Sequence, residues 1–331
     1  MSTKFTGRQF NLGAAKEATR GTPVAPTVWL PWTSLTIDDE VKTVKDENVY
    51  GIIEKGIGQE NVGETSKATL DGDITDIGFG LLLKAAMGTE TSTLVSGETV
   101  IYDHKFTVLE NAQHPTLTLT VVEPNSNSGA GYGYALAAIN SLSLSFDVEK
   151  YCTYKAEFMG NLGANLSATT SYTVENRFRP QDGVIKFAAT LSGLSSGTSF
   201  NVKKATVDIK KNVIADMVIG SIAPVDNLNQ EFECSGTFEM FYTDRSWIDT
   251  YLVPSAKVAF SLMFANTNIT LGVASNPTLT IRLANVKLES VARKVDSKGI
   301  TTETLKYTAF YSVSDTEMLD ITLRNARTTV Y

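Results

Sequence analysis

The sequence predicts a mainly β protein, built as two tandem β-sandwich or barrel units that each carry one packed α-helix. Three observations predict it. Short runs alternate apolar and polar residues along much of the chain. Gly, Asn and Ser turns separate these runs, as in antiparallel sheets. The third observation is repetition. Residues 66–76 return in outline as 234–244, and both segments end in Thr-Asp. Leu35-Thr36-Ile37-Asp38 matches Ala205-Thr206-Val207-Asp208. Asn48-Val49 with Gly56 matches Asn212-Val213 with Gly220, and residues 114–121 match 276–283. The matches keep their order, so the pattern reads as duplication of one folding unit.

Residues 1–33 read as an extended N-terminal arm, because Pro23, Pro26 and Pro31 disfavour regular pairing. The first unit then spans 34–170 and the second 171–331. The boundary falls near a small, polar stretch at 161–173. In the first unit a strand from Leu35 leads to a long loop, 44–62, whose counterpart is 214–230. Loops of that length in a compact domain are usually functional or disordered. A strand at 66–75 runs into a helix at 76–88, with Asp76 in the N-cap position and Gly88 closing it. Residues 116–122 alternate with Leu117, Leu119 and Val121 inward, and 125–133 read as a surface turn. Residues 141–149 alternate strictly, so Leu142, Leu144, Phe146 and Val148 should face the core. Cys152, Tyr154, Ala156 and Phe158 continue the pattern. In the second unit a helix at 244–253 opens at Asp244 and stops at Pro254, and 278–283 and 302–311 alternate again.

Composition narrows the function classes. Of 331 residues, 42% are hydrophobic and 20% charged, which fits a folded soluble chain rather than a disordered one. No stretch approaches the ~20 apolar residues of a membrane span. The first residues lack the apolar core of a signal peptide, so residence in the cytosol is expected, and Cys152 and Cys234 are expected as buried thiols. The net charge of −7 is uneven: residues 1–165 carry 12 Lys+Arg against 20 Asp+Glu, and 166–331 carry 17 against 16. No Lys/Arg run suits tight nucleic-acid binding, which needs several cations to displace phosphate counterions.

Catalytic and metal signatures are missing. His104 and His114 are the only histidines, with no HExxH or CxxC beside them, and no cofactor or metal is expected. There is no GxSxG and no GxxxxGK[ST]. Asp38-Asp39-Glu40 lacks calcium-loop spacing and reads as a solvated strand edge. Lys203-Lys204 and Lys210-Lys211 read as solvated strand charges, or as partners for acidic residues of the first half across a subunit contact.

The opening Phe10-Asn11-Leu12-Gly13-Ala14-Ala15-Lys16-Glu17-Ala18-Thr19-Arg20-Gly21-Thr22-Pro23 resembles the start of the tail tube (major tail) proteins of long-tailed bacteriophages. The Glu-x-x-x-Gly-Thr-Pro phrase, a Trp-containing turn and the strand from Leu35 carry the resemblance. It implies a virion protein, assembled in the host cytoplasm, whose tube domains form six-membered rings around a lumen for genomic DNA. A chain with two such domains implies a trimer with pseudo-sixfold symmetry. The helix would sit outside the barrel, and the arm and the loop after the first strand would meet the next ring. Partners would be further copies of itself and the tail terminator and tail tip proteins, with DNA passing unbound.

The strand pattern nominates a lumen face. Lys67, Thr69, Asp71, Asp73 and Thr75 share one side of their strand, as do Ser235, Thr237, Glu239, Phe241 and Thr243 of the matching strand. Asp71, Asp73 and Glu239 are the candidate lumen-lining residues; the plain alternative is a solvated outer face. A second functional reading is a two-domain β binding module for carbohydrate or receptor on a virion or cell surface. Its usual cluster of loop aromatics is weak here, since Trp29 and Trp32 lie in the arm and Trp247 opens a helix. An enzyme comes third, because two histidines supply no nucleophile–base pair.

Overall fold

The structure, a computed structural model, describes residues 4–124 and 130–331. β1 (Asn11–Lys16), β2 (Val28–Trp29), β3 (Ser34–Lys45) and β4 (Gln59–Asp73) precede a helix, α1 (Phe79–Met87). Six strands follow: β5 (Gly88–Leu94), β6 (Tyr102–Val108), β7 (Leu117–Val122), β8 (Ala130–Asp147), β9 (Thr153–Gly160) and β10 (Ala164–Ser167). Then come β11 (Gly183–Ala188), β12 (Thr198–Ser199), β13 (Lys204–Lys210), β14 (Ile214–Asp216), β15 (Asp226–Leu228) and β16 (Glu233–Phe241). A π-helical turn at Trp247–Leu252 leads to β17 (Val258–Ala265), β18 (Thr278–Lys294), β19 (Thr302–Ala309) and β20 (Leu319–Asn325).

One layer is an antiparallel sheet in the order β3-β4-β9-β8-β13-β16-β19-β18. The long strands β8 and β18 give it only their C-terminal halves. Their N-terminal halves lie in a second layer, β8 between β7 and β10 and β18 between β17 and β20. Each long strand carries an extra residue near the crossing, Asn140 in β8 and Glu289 in β18. Such bulges bend a strand and increase its twist, which lets one strand serve two sheets. Outward from the long strands the order again agrees: β7 continues to β1 and β2, and β17 to β11 and β12. The β5–β6 hairpin stands outside this pattern and adds to β20.

Alternation decides which face is buried. Leu142, Leu144, Phe146, Tyr154, Ala156, Phe158, Ala205, Val207, Ile209, Phe238, Leu305 and Tyr307 project from the inner face of the eight-stranded sheet into the core. Cys152 and Cys234 are buried free thiols, and burial pushes the Cys234 thiol up to about 12. Val148 breaks the expected pattern: it lies past the end of β8 and is exposed. β7 is buried on both faces: Leu117, Leu119 and Val121 join the core, and on the other face the Thr118 hydroxyl donates to Glu17 and accepts from the Val24 N–H.

Several expected elements differ. Residues 11–16 and 28–29 of the expected arm are strands; β1 pairs with β7 over its whole length and buries Leu12, Ala14 and Ala15. The expected turn at 125–133 is β8 from Ala130 onward, paired with β7 and β10, and residues 125–129 lie outside the described residues. α1 starts at Phe79, not at Asp76. The buried Asp76 carboxylate instead accepts hydrogen bonds from the Asn176 backbone N–H (2.8 Å) and Nδ2 (2.7 Å). Gly88 does close the helix, with φ +91°, a conformation that favours glycine. The second helix is only the π-helical turn: the Val253 N–H donates to the Ile248 carbonyl five residues back (2.9 Å). Trp247 anchors that turn among Phe187, Phe200 and Tyr251. The loop after β3 shrinks to 46–58 because β3 and β4 extend as a hairpin, and its counterpart contains the small β14–β15 hairpin. Finally, residues 116–121 run along β7 while 278–283 belong to β18. The strand that holds β7's place is β17, so that sequence match joins positions of different kind.

Candidate functional site

The outer face of the eight-stranded sheet is mostly polar. Register carries Asp71 opposite Lys155, Lys155 opposite Ser143, Ser143 opposite Asp208, and Asp208 opposite Ser235. A neighbouring row runs Asp73, Thr153, Ser145, Thr206, Thr237 and Lys306. Asp71, Asp73 and Glu239 all lie on this face, Asp71 and Asp73 on β4 and Glu239 on β16 opposite Lys204 and Thr304. They form no single cluster. Asp73 is bound by Arg177 at 3.0 Å.

The face is mixed in charge rather than purely acidic. Lys155 pairs with Glu157 (2.7 Å), Lys67 with Glu40 (3.0 Å) and Lys306 with Glu289 (2.6 Å). Exposed pairs of this kind contribute little to stability. Their effect is on ligands: a lysine already facing a carboxylate offers phosphate less attraction than a free one. Met159 and Phe241 interrupt the polar surface, and Lys203 stands over the Phe241 ring at 4.4 Å.

The basic pairs sit in the joint between the two halves. Lys204 lies opposite Asp147 across β8–β13, within one chain. Lys211 is buried, and its Nζ donates to the Ala85 carbonyl (2.9 Å) at the end of α1. Burial lowers the Lys211 pKa to about 7. His114 Nδ1 lies 2.9 Å from the neighbouring Ala86 carbonyl. Burial, with Lys211 and Arg20 nearby, drives His114 down to about 4. Both side chains therefore serve carbonyls that the end of a helix leaves without partners.

The Glu-x-x-x-Gly-Thr-Pro phrase is a second locking point. The buried Glu17 carboxylate accepts from the Gly21 N–H (2.7 Å), the Thr116 hydroxyl (2.6 Å), the Thr118 hydroxyl (3.0 Å) and the Leu136 N–H (2.8 Å). Gly21 takes φ +78°, which a side chain would resist. Arg20 reaches into the second half, pairing with Asp226 at 2.7 Å and donating to the carbonyls of His114 and Asn227. Asn227 Nδ2 returns the contact, to Leu136 O (2.9 Å) and Met159 O (3.0 Å). The spacing of Glu17 and Gly21 was visible in the sequence; their long-range partners were not.

Two apolar loop tips stand free of the core. Val49, Ile53 and Ile57 in the β3–β4 loop are 93%, 103% and 74% exposed, and Ile219 in the β14–β15 hairpin is 106% exposed. The β14–β15 hairpin packs beside the stem of the β3–β4 hairpin: the Glu64 N–H of β4 donates to Ile222 O at 2.7 Å. Grouped exposed apolar side chains mark a contact surface. Among the described residues no group of three or more His, Cys, Asp or Glu could hold a metal, and no helix is long and apolar enough to cross a membrane.

Sequence comparison decides what such a molecule is. The phage tail tube protein family matches residues 7–309, nearly the whole chain. The chain belongs to that family. It is a structural tail tube protein, a component of the virion tail that assembles into a tube. No curated protein matches the chain. Among solved structures the chain is similar to K. pneumonia MrkH in its apo state at 10% identity, covering 74% of this chain and 90% of that one. The TM-score of that similarity is 0.16, which carries no argument.

Proposed function

We propose that this tail tube protein builds trimeric rings in which each chain supplies two tube units, the first around β8 and the second around β18. The observation that carries this reading is the repeated pairing order, joined through β8–β13 into one eight-stranded sheet with a polar outer face. On this reading the first unit begins with β1, the boundary lies between β10 and β11, and the polar face with Asp71, Asp73 and Glu239 lines the lumen.

Size favours three chains over two. Strands stand about 4.8 Å apart and tilt by about 40° in barrels. Three sheets of this kind then close at a backbone diameter of about 48 Å, and two at about 32 Å. Inward side chains take about 10 Å from either value across the lumen, so a pair of chains leaves scarcely a duplex's width. Ring closure also satisfies the free N–H and C=O groups on both sheet edges. The exposed tips near Ile53 and Ile219 suit contact with the next ring, because end-to-end contacts that do not close generate a filament.

Electron microscopy of purified protein tests the proposal. Rings or tubes with threefold symmetry and a central channel are expected. Sixfold rings with the second half projecting outward, or monodisperse monomers at all salt and protein concentrations, refute it.

A further inference from the structure

The eight-stranded sheet ends on two borders that carry segments of opposite charge, residues 34–40 of β3 and 290–294 of β18. The outer border of β3, which pairs only with β4, carries Asp38, Asp39 and Glu40. The outer border of β18 from residue 287 onward, which pairs only with β19 there, carries Arg293 and Lys294 in its last five residues, 290–294. Among the described residues no strand covers either one.

The chain already contains a joint of the matching kind. The C-terminal half of β8 pairs antiparallel with β13, Ser141 through Asp147 against Lys210 through Lys204. β8 holds in the first half the place that β18 holds in the second, and β3 holds the place of β13.

The correspondence can be set residue by residue. The Thr-Asp repeat equates Leu70 of β4 with Phe238 of β16. Leu70 lies opposite Leu35 and Ala156, and Phe238 opposite Ala205 and Leu305. Ala156 in turn lies opposite Leu142, and Leu305 opposite Val291. The bulges give the same alignment independently: Leu142 follows the extra residue Asn140 by two positions, and Val291 follows Glu289 by two. At the internal joint Leu142 lies opposite Ile209, whose equivalent in β3 is Asp39.

We infer that β3 of one copy pairs antiparallel with residues 290–296 of a second copy in the register of the internal joint: Glu40 opposite Ser290, Asp38 opposite Ala292, and Thr36 opposite Lys294. This rests on the ring proposed above. It also places Asp38 diagonal to Lys294 on the polar face and Asp39 diagonal to Arg293 on the other, within reach of long side chains.

A one-residue slip would turn every inward side chain outward and is excluded by alternation. A two-residue slip setting Asp38 directly against Lys294 would also satisfy charge. The bulge decides between them. At the internal joint the Lys211 N–H donates to the Asn140 carbonyl (2.9 Å), so pairing runs up to the bulge and uses it. The equivalent bond runs from the Val41 N–H to the Glu289 carbonyl, and the slip would break it.

Paired cysteines test the register in assembled protein. Directly opposed residues on a sheet have Cβ atoms about 5 Å apart, close to what a disulfide spans. Asp38→Cys with Ala292→Cys should give covalent dimers and trimers on mild oxidation. Asp38→Cys with Lys294→Cys, and Asp38→Cys with Ser290→Cys, should give at least fivefold less. The native thiols are buried and unreactive, which keeps the background low. Mixing the two single variants, Asp38→Cys and Ala292→Cys, should reproduce the crosslink between chains. Stronger crosslinking in the Lys294 pair, or none in any pair although microscopy shows rings, overturns the register and leaves the ring standing. Failure of the unmodified protein to form any ring overturns both.

Discussion

Glu17 supports a quantitative prediction. Its carboxylate is buried and takes four donors at 2.6–3.0 Å, two backbone N–H groups and two hydroxyls. Glu17→Ala leaves all four without their acceptor and opens a polar hole. A buried donor stripped of its partner costs about 1–3 kcal/mol, and water entering the hole recovers part of that. Relief from burying one carboxylate offsets some of the remainder. The expected net loss is about 3–5 kcal/mol. Glu17→Gln keeps the volume and one acceptor oxygen but turns an amide N–H₂ toward donors. The hydroxyls can rotate to accept while the backbone N–H groups cannot, so about 1.5–3 kcal/mol should be lost. The assay is urea unfolding followed by tryptophan fluorescence, since Trp29 sits on β2 beside β1. A loss below about 1 kcal/mol for Glu17→Ala, or equal losses for the two variants, would refute the claim that this carboxylate staples β1 to β7 and β8.

Four further outcomes follow from other sites. The folded pKa of His114 is about 4 against an ordinary 6.5, so protons favour the unfolded chain; stability should be full above pH 6.5 and fall by about 3 kcal/mol as pH drops toward 4. His114→Gln should flatten that slope in unfolding titrations, and an unchanged slope would exclude His114 as its source. Glu98 is held down to about 2 by N–H donors from Ala274 and Val273, with Ser275 adding its N–H and hydroxyl. Exchange protection of those amides should therefore persist below pH 4.5, the ordinary carboxyl value, and disappear as pH falls toward 2; Glu98→Gln should lose it at every pH. A Cβ on Gly236 would strike the Thr206 carbonyl oxygen and the Tyr307 hydroxyl, so Gly236→Ala should cost about 2–3 kcal/mol, and an unmoved urea midpoint would contradict the packing. Asp71→Lys with Glu239→Lys should leave tubes visible by microscopy yet lower the infectivity of particles, through grip on passing phosphate; normal infectivity would remove both residues from the lumen.

What the sequence determined by itself was mainly which side of each strand is wet. Cys152, Tyr154, Ala156 and Phe158 are buried as their alternation required, because period-2 patterning is a local property that survives whatever the strand later pairs with. The repeat at 66–76 and 234–244 fell on strands with equivalent neighbours for the same reason: a strand, its loop and its helical turn are written within a few dozen residues. Tertiary structure decided everything that depends on a distant partner. Asp76 looked like a helix cap, but Asn176, a hundred residues away, claims its carboxylate. The Pro-rich opening looked like a free arm, but Glu17 and β7 draw it into the sheet. The threonines of β7 alternate with its inward residues, yet Thr118 and Thr120 are buried as well, Thr118 against Glu17 and Val24. The joint between β8 and β13, on which the continuous polar face depends, has no signature in either strand alone. Strand pairing satisfies backbone groups that are the same in every residue, so a sequence can mark which face goes inward while only the folded chain selects the neighbour.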